Sequence, residues 1–169
     1  MKTIFSIFLI AILLTSCKTE PDNSAQELFA KNSEIVLKDI SNWENETPDY
    51  SIFAENAIGL STVFGAKVDT VLVHSEESKA NDKAFLSRFD FKLLTSPPQL
   101  LPGVNPDTKQ PDGSVRYYGI WQVTLPATDS TEAKSGEIKM YSSYDFDENG
   151  KIIYTQSYGD FSCLMRYLN

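Results

Sequence analysis

The residues from Ser114 to Asp160 constrain the fold of this chain more than any other part of it. They contain three runs in which β-branched and aromatic residues alternate with polar ones, and Asn149-Gly150 stands between the second run and the third. Asparagine and glycine tolerate the positive φ angles of a type I′ hairpin turn. The pattern therefore predicts three antiparallel strands, with a type I′ turn between the last two, in a sheet on which the rest of the chain packs.

The amino-terminal residues have the pattern of a signal peptide. Lys2 precedes an apolar run from Ile4 to Leu14, which is too short to span a bilayer comfortably. The tetrad Leu14-Thr15-Ser16-Cys17 resembles a bacterial lipobox. The resemblance implies cleavage before Cys17, lipid on its thiol and an envelope location, with Lys18 favouring the outer membrane. An ordinary secreted protein with an incidental cysteine is the alternative.

These boundaries divide the chain into a signal peptide over residues 1–16, a lipidated tether over 17–24 and one domain over 25–169. Removing 16 of the 169 residues leaves 153, which is enough for a single domain with its own core. The full chain has a formal net charge of −8 at pH 7, and its acidic residues are scattered. Nucleic acid and anionic lipid headgroups are therefore poor partners.

Only one thiol remains once Cys17 is lipidated, and it belongs to Cys163. No intramolecular disulfide is expected from a single thiol. The surrounding segment from Phe161 to Leu168 is apolar, which favours a buried structural cysteine over a reactive one.

Apolar residues recur at helical spacing after Ser24, at Leu28, Ile35, Val36, Ile40 and Trp43. This spacing predicts a helix that Ser24 caps and that ends near Glu46. Thr47-Pro48-Asp49 breaks the chain, and Asp49 is expected to cap a short second helix through Phe53 and Ala54.

The middle of the chain alternates between strand and helix patterns. Residues 57–74 are β-rich and predict one bent strand or a hairpin, and residues 75–90 predict a helix with acidic residues at its positive end. Residues 91–101 predict an edge or bulged strand because Pro97-Pro98 interrupts them. Residues 102–113 hold three prolines and two glycines and predict a loop, either a lid or partner-binding edge or a stiff surface connection.

This order of elements predicts an α+β fold and resembles the nuclear transport factor two-like superfamily in its SnoaL-like branch. The likeness is carried by the helix ending at Trp43, by Tyr118 to Trp121, by Tyr144 to Ile152 and by Tyr158-Gly159-Asp160. It implies a cone-shaped α+β barrel, with a strongly bent antiparallel sheet packed on about three helices. It also implies an apolar pocket at the wide end and a homodimer formed through the sheet. Members include isomerases, dehydratases, hydrolases and binding modules without chemistry, so the fold does not choose a function.

Enzymes of the resembled family use a pocket aspartate or an Asp-His pair, which makes His74 and Asp160 the catalytic candidates. His74 is the only histidine, and its ordinary pKa lies near neutrality. The alternative is a strand-end histidine with ordinary hydrogen bonds. In the catalytic hypothesis, Tyr118 or Tyr158 would stabilise an oxyanion.

Aromatic residues of the predicted sheet are candidates for lining the pocket: Tyr118, Trp121, Tyr144, Tyr154 and Tyr158. Alternation places Tyr154, Tyr158 and Asp160 on one face of the last strand, and Tyr117 and Trp121 on a face opposite to Tyr118. A stripe of this kind also fits an ordinary sheet core. A shift of one residue exchanges the two faces.

Metal and cofactor sites are not predicted. Asp145-x-Asp147-x-Asn149-Gly150 matches the first half of an EF-hand loop, but Gln156 stands where the closing carboxylate belongs and the flanks alternate as strands. No Gly-rich phosphate loop, nucleophile elbow or Cys-x-x-Cys pair is present in the sequence.

Three functional hypotheses follow. The leading one is a lipid-anchored envelope protein whose domain binds a small apolar ligand or a protein partner without catalysis. The second is an isomerase or dehydratase that uses His74 or Asp160 to move a proton. The third is a structural or dimerisation module.

Overall fold

A computed structural model describes residues 23–60 and 70–169 of the chain. The predicted signal peptide, Cys17 and most of the tether lie outside the described residues, as does the middle of the β-rich stretch predicted over residues 57–74. The helices are α1 (Ser24–Glu44), α2 (Glu76–Leu86) and α3 (Phe161–Leu168), with a 3₁₀ turn at Tyr50–Ile52. The strands are β1 (Phe53–Leu60), β2 (Thr70–Leu72), β3 (Asp90–Leu93), β4 (Gln99–Val104), β5 (Pro111–Leu125), β6 (Lys134–Phe146) and β7 (Ile152–Tyr158).

The seven strands form one strongly curved sheet on which the three helices pack, which confirms the predicted α+β cone. The strand order is β2-β1-β7-β6-β5-β3, and β4 also pairs with β5. One pair departs from the antiparallel prediction, because β1 runs parallel to β7. The sheet is therefore mixed.

The three predicted strands are β5, β6 and β7. β5 and β6 pair in continuous antiparallel register from Val115↔Tyr144 to Leu125↔Lys134. The predicted type I′ turn before β7 is wrong, because Gly150 has a positive φ of 74° and Asn149 does not. Instead, Oδ1 of Asp147 accepts hydrogen bonds from the backbone N–H groups of Asn149 and Lys151, at 2.9 and 2.8 Å. The aspartate closes the turn, so only one residue needs the left-handed conformation.

The proline-rich stretch over residues 102–113 is shorter as a loop than predicted. β4 continues to Val104 and β5 begins at Pro111, and these two residues are paired. Proline is tolerated at the first residue of a strand, where its missing N–H costs no interior ladder bond. The stretch predicted as one interrupted strand is divided by Pro97-Pro98 into β3 and β4, which both pair with β5.

Of the two residues predicted to cap helices, Asp49 forms a cap and Ser24 does not. α1 begins at Ser24, with Asn23 at the N-cap position and no side-chain cap, so the predicted Ser24 cap is wrong. Asp49 does cap, but the element is the short 3₁₀ turn, and β1 starts at Phe53. Ser75 caps α2 by accepting a hydrogen bond from the N–H of Ser78 at 3.1 Å.

The carboxyl-terminal segment is helix α3, which buries Leu164 and Leu168 one turn apart. Cys163 lies on the other side of that helix and is exposed, so the predicted burial of its thiol is wrong. An amphipathic helix buries only one face, and the apolar composition of the segment did not show which face that is. Among the described residues, no helix is both long enough and apolar enough to cross a membrane.

Candidate functional site

A cavity of about 370 Å³ lies between α1, α2 and the concave face of the sheet. Its walls are largely apolar and aromatic, with side chains that include Trp43, Phe53, Phe85, Phe91 and Trp121. Concave, mostly apolar spaces with a few polar groups are the usual form of small-molecule sites. The polar groups that reach this space are therefore the candidates for function.

Asp39 is the most deeply buried carboxyl group at the cavity. It lies on α1 with 7% of its surface exposed, and Oδ2 accepts a hydrogen bond from the Tyr144 hydroxyl at 3.0 Å. Burial raises the pKa of Asp39 to about 6, because the apolar surroundings penalise the charged form; the Tyr144 bond opposes this shift. Burial also raises the pKa of Tyr144, and the negative charge of Asp39 adds to that effect.

A second aspartate-tyrosine pair lines the same cavity. The Tyr50 hydroxyl donates to Oδ2 of Asp82 on α2 at 2.9 Å. Burial raises the pKa of Asp82, and the charge of Asp82 in turn raises the pKa of Asp39. The two carboxyl groups therefore belong to one electrostatic site.

Tyr117, on β5, presents a buried hydroxyl to the cavity. The residue is 2% exposed, and within residues 23–60 and 70–169 its hydroxyl has no hydrogen-bond partner. Burial raises the pKa of Tyr117 to about 12; the Trp121 indole nearby lowers it without reaching hydrogen-bond geometry. The ring lies over Gly119, where a Cβ atom would overlap the hydroxyl. Glycine at this position is what lets the tyrosine lie flat along the inner face.

Two of the five predicted pocket aromatics line the cavity, Trp121 and Tyr144. The other three do not line it. Tyr118 lies on the outer face of the sheet beside Tyr141, with ring centroids 5.1 Å apart, and Tyr158 lies 5.9 Å from Tyr141 on its other side. This outer row is exposed, with 42% of Tyr118 and 50% of Tyr158 accessible. The homodimer through the sheet stays a prediction.

Strand β7 changes the side that it presents to the interior. Ile152 is fully buried, but Thr155 and Ser157 line the cavity, so the inward positions shift from even to odd numbers. The pairing of β7 with β6 is irregular between Asp145 and Phe146, which is where the shift falls. A bulge of this kind displaces every later side chain to the opposite face, and Tyr154 therefore does not line the cavity.

The two predicted catalytic residues do not line the cavity. His74 is half-buried beside Tyr50, with ring centroids 6.4 Å apart. Asp160 is exposed and caps α3, where Oδ1 accepts a hydrogen bond from the N–H of Cys163 at 3.1 Å. Neither is brought together with Asp39.

Sequence reasoning missed Asp39, although the sequence carries a signal for it. Asp39 falls three residues after Val36, beside Ile40 and four residues before Trp43, so it occupies the apolar stripe of α1. Charged residues are rarely buried without a partner. A carboxylate on the core face of a helix is therefore a marker of a special site.

No group of three or more histidine, cysteine, aspartate or glutamate side chains in the described part of the chain is arranged to hold a metal ion. Of the EF-hand-like residues, Asp145 lies on β6 and pairs with Arg116 at 3.0 Å, and Asp147 lies in the turn before β7, where it accepts hydrogen bonds from backbone N–H groups.

No family model matches the sequence, and no curated protein matches it either. Solved structures do match the fold. A protein assigned as a polyketide cyclase from Xanthomonas campestris pv. campestris aligns with a TM-score of 0.62 and 9% identity, over 84% of this chain and 99% of that one. A protein assigned as an isomerase from Bacillus subtilis aligns with a TM-score of 0.58 and 11% identity, over 83% of this chain and 94% of that one. A nuclear transport factor two-like protein from Burkholderia xenovorans LB400 aligns with a TM-score of 0.54 and 14% identity, over 83% of this chain and 97% of that one.

These similarities identify the class of fold. The chain has the α+β cone of nuclear transport factor two-like proteins, the fold that SnoaL-like polyketide cyclases share. At such identities the likeness extends to the fold alone, and the function must be argued from the site.

Proposed function

We propose that the cavity binds a small, largely apolar molecule and holds its polar group between Asp39 and Tyr117. The observation that carries the proposal is the Tyr117 hydroxyl, which is buried at the cavity without a partner among the described residues. A buried hydroxyl without a hydrogen bond costs free energy, about 1–3 kcal/mol, which a bound ligand would recover. The apolar walls would supply the rest of the affinity through burial of hydrocarbon surface.

A cavity-filling variant tests this proposal. Gly59 lies in the wall on β1, and a Cβ atom built there meets only Thr155, at 3.7 Å, which is ordinary contact. A Gly59→Phe side chain can therefore grow into the empty space. Leu72→Phe is the control, because Leu72 is 56% exposed and does not line the cavity.

The measurement compares organic extracts of the purified full chains by mass spectrometry. We expect a compound that copurifies with the wild type and Leu72→Phe and is missing from Gly59→Phe. Identical extracts from all three chains would contradict ligand binding in the cavity.

A second candidate function is proton transfer, and the buried carboxyl group of Asp39 favours it. A base with a pKa of about 6 is mostly ionised at pH 7 yet can still carry a proton during a reaction. Asp39 would take a proton from the carbon next to a ligand carbonyl, and the electron pair would move to the carbonyl oxygen, to which Tyr117 would donate a hydrogen bond. Structural neighbours assigned as a cyclase and an isomerase support this alternative.

Deuterium exchange distinguishes catalysis from binding alone. Cyclic ketones incubated in D₂O with the wild-type chain would exchange the hydrogens next to the carbonyl faster than with Asp39→Asn. Equal rates with both chains would leave binding as the function.

We also propose that the domain works at a membrane, through lipid on Cys17. The supporting observation is the Leu14-Thr15-Ser16-Cys17 tetrad behind a short apolar run. Several acyl chains together give stable anchoring, at about 0.8 kcal/mol for each buried CH₂. The expected location is the outer membrane of a bacterial envelope.

A further inference from the structure

The charged side chains at the cavity are all of one sign. Among the described residues that line it, the ionisable acids are Asp39, Asp49 and Asp82, and no lysine, arginine or histidine is present. Asp49 has its own counterion, because Lys38 Nζ lies 2.6 Å from Oδ2. Among the described residues, the hydrogen-bond partners of Asp39 and Asp82 are tyrosine hydroxyls, those of Tyr144 and Tyr50. Neither Asp39 nor Asp82 therefore forms an ion pair with a described side chain.

The arrangement around Asp39 leaves room for a donor from a ligand. Tyr144 occupies Oδ2, and within the described chain no donor contacts Oδ1. The Tyr117 hydroxyl, which has no hydrogen-bond partner among the described residues, lines the same cavity.

The aromatic walls of the cavity also favour a positively charged ligand. Aromatic faces attract cations, by about 0.5–2 kcal/mol for each favourable contact. Trp43, Tyr50, Phe85, Phe91 and Trp121 all line the space. A carboxylate without a counterion, in an aromatic enclosure, is expected to favour a cation over a neutral group of the same shape.

We infer that the ligand of this cavity is a small hydrophobic amine, whose ammonium group donates to Asp39 Oδ1 and to the oxygen of the Tyr117 hydroxyl. Its hydrocarbon part lies against the aromatic walls. The inference rests on the proposed binding function and not on the catalytic alternative. Acids of similar size are excluded from the site by Asp39 and Asp82.

Matched sets of probes test the charge of the ligand. One set is adamantylamine, adamantanol and adamantanecarboxylate, and the other is naphthylmethylamine, naphthylmethanol and naphthoate. Each set keeps one hydrocarbon frame and changes only the polar group. Binding to the full chain in detergent micelles is measured by titration calorimetry, with partition into empty micelles subtracted.

We expect the amine of at least one set to bind about tenfold or more tightly than its alcohol, which is a difference of about 1.4 kcal/mol. Asp39→Asn should remove that preference, because the neutral amide lacks the negative charge that favours the amine over the alcohol. Asp129→Asn is the matched control, because Asp129 is exposed and does not line the cavity. Asp82→Asn is a second variant, for use if Asp39→Asn melts at a lower temperature than the wild type. It should also weaken the preference for the amine over the alcohol.

Every other result overturns the inference that the ligand is an amine. An alcohol or acid that binds as tightly as its amine overturns the inference and leaves the proposed binding function in place. An amine preference that survives both aspartate substitutions also overturns it. If no member of either set binds, the inference fails, and the proposed binding function is judged separately by the extracts of the wild type and Gly59→Phe.

Discussion

The Tyr144 hydroxyl donates a hydrogen bond to Oδ2 of Asp39 at 3.0 Å and joins β6 to α1 across 105 residues of sequence. Both side chains are buried, with 6% and 7% of their surfaces exposed. This bond is the only one that the structure gives the buried carboxyl group from the described residues. It therefore links the packing of the helix to the chemistry of the cavity.

Tyr144→Phe is expected to destabilise the chain by about 1–3 kcal/mol at pH 7, because a buried carboxylate loses its donor. The pKa of Asp39 should rise further, since the Tyr144 bond lowers it in the wild type. Urea unfolding measures the first effect and NMR titration of the carboxyl carbon measures the second. The control is Tyr158→Phe on the exposed outer face, where a loss as large as that of Tyr144→Phe would contradict the assignment.

The stability of the chain should depend on pH through Asp39. Burial raises its pKa from 3.8 to about 6, so between these values the folded state binds more protons than the unfolded state. The free energy of unfolding therefore falls as the pH rises through this window, by about 3 kcal/mol for this group. Asp39→Asn removes the contribution. The free energy of unfolding of Asp39→Asn relative to the wild type should rise from pH 4 to pH 7. If the free energies of unfolding of the two chains change with pH in parallel, the raised pKa of Asp39 is contradicted.

Gly119→Ala should displace the Tyr117 ring, because the new Cβ atom would overlap the hydroxyl. Overpacking of this kind costs about 1–3 kcal/mol. Gly59→Ala is the matched control, since the Cβ atom there makes only ordinary contact. Thermal unfolding compares the two variants, and equal melting temperatures would show that Tyr117 moves aside without cost.

Asp160→Ala tests whether Asp160 caps α3 or works in catalysis. Loss of an N-cap costs about 1 kcal/mol, because the N–H of Cys163 loses its acceptor. Ligand binding should be unchanged, since Asp160 does not line the cavity. Asp129→Ala serves as the control for stability. A large loss of ligand binding with unchanged stability would restore Asp160 as a site residue.

Cys17→Ser should release the chain from lipid, because serine has no thiol to receive a diacylglyceryl group. In Triton X-114 partition, the wild type is expected in the detergent phase, with a mass increased by acyl chains. The substituted chain should keep residues 1–16 uncleaved. A wild-type mass without acyl chains would contradict the lipoprotein assignment.

Much of the fold follows from local patterns in the sequence. The alternation from Ser114 to Asp160 predicted β5, β6 and β7, and the apolar spacing after Ser24 predicted α1 to within two residues of its end. These patterns are reliable because a strand or helix with one buried face must repeat its apolar residues at the period of its own backbone. Trp121 and Tyr144 could be chosen for the cavity on the same grounds.

Other features depended on contacts between distant parts of the chain. The parallel pairing of β1 with β7 joins segments about 100 residues apart, and no local pattern encodes it. The irregularity between β6 and β7 then moves Thr155 and Ser157 inward in place of Tyr154 and Tyr158, because one displaced residue exchanges the faces of a strand.

The sequence by itself thus determined the fold class, helix α1 and strands β5, β6 and β7, since these depend on the periodicity of neighbouring residues. It did not predict helix α3, and it predicted a helix where the 3₁₀ turn and the start of β1 lie. Only the tertiary structure decided which side chains share the cavity. Asp39 becomes a buried acid near pKa 6 because α1 crosses the concave sheet at Tyr144. Burial and electrostatics are properties of that packed arrangement, and they arise only when residues far apart in the chain are brought together.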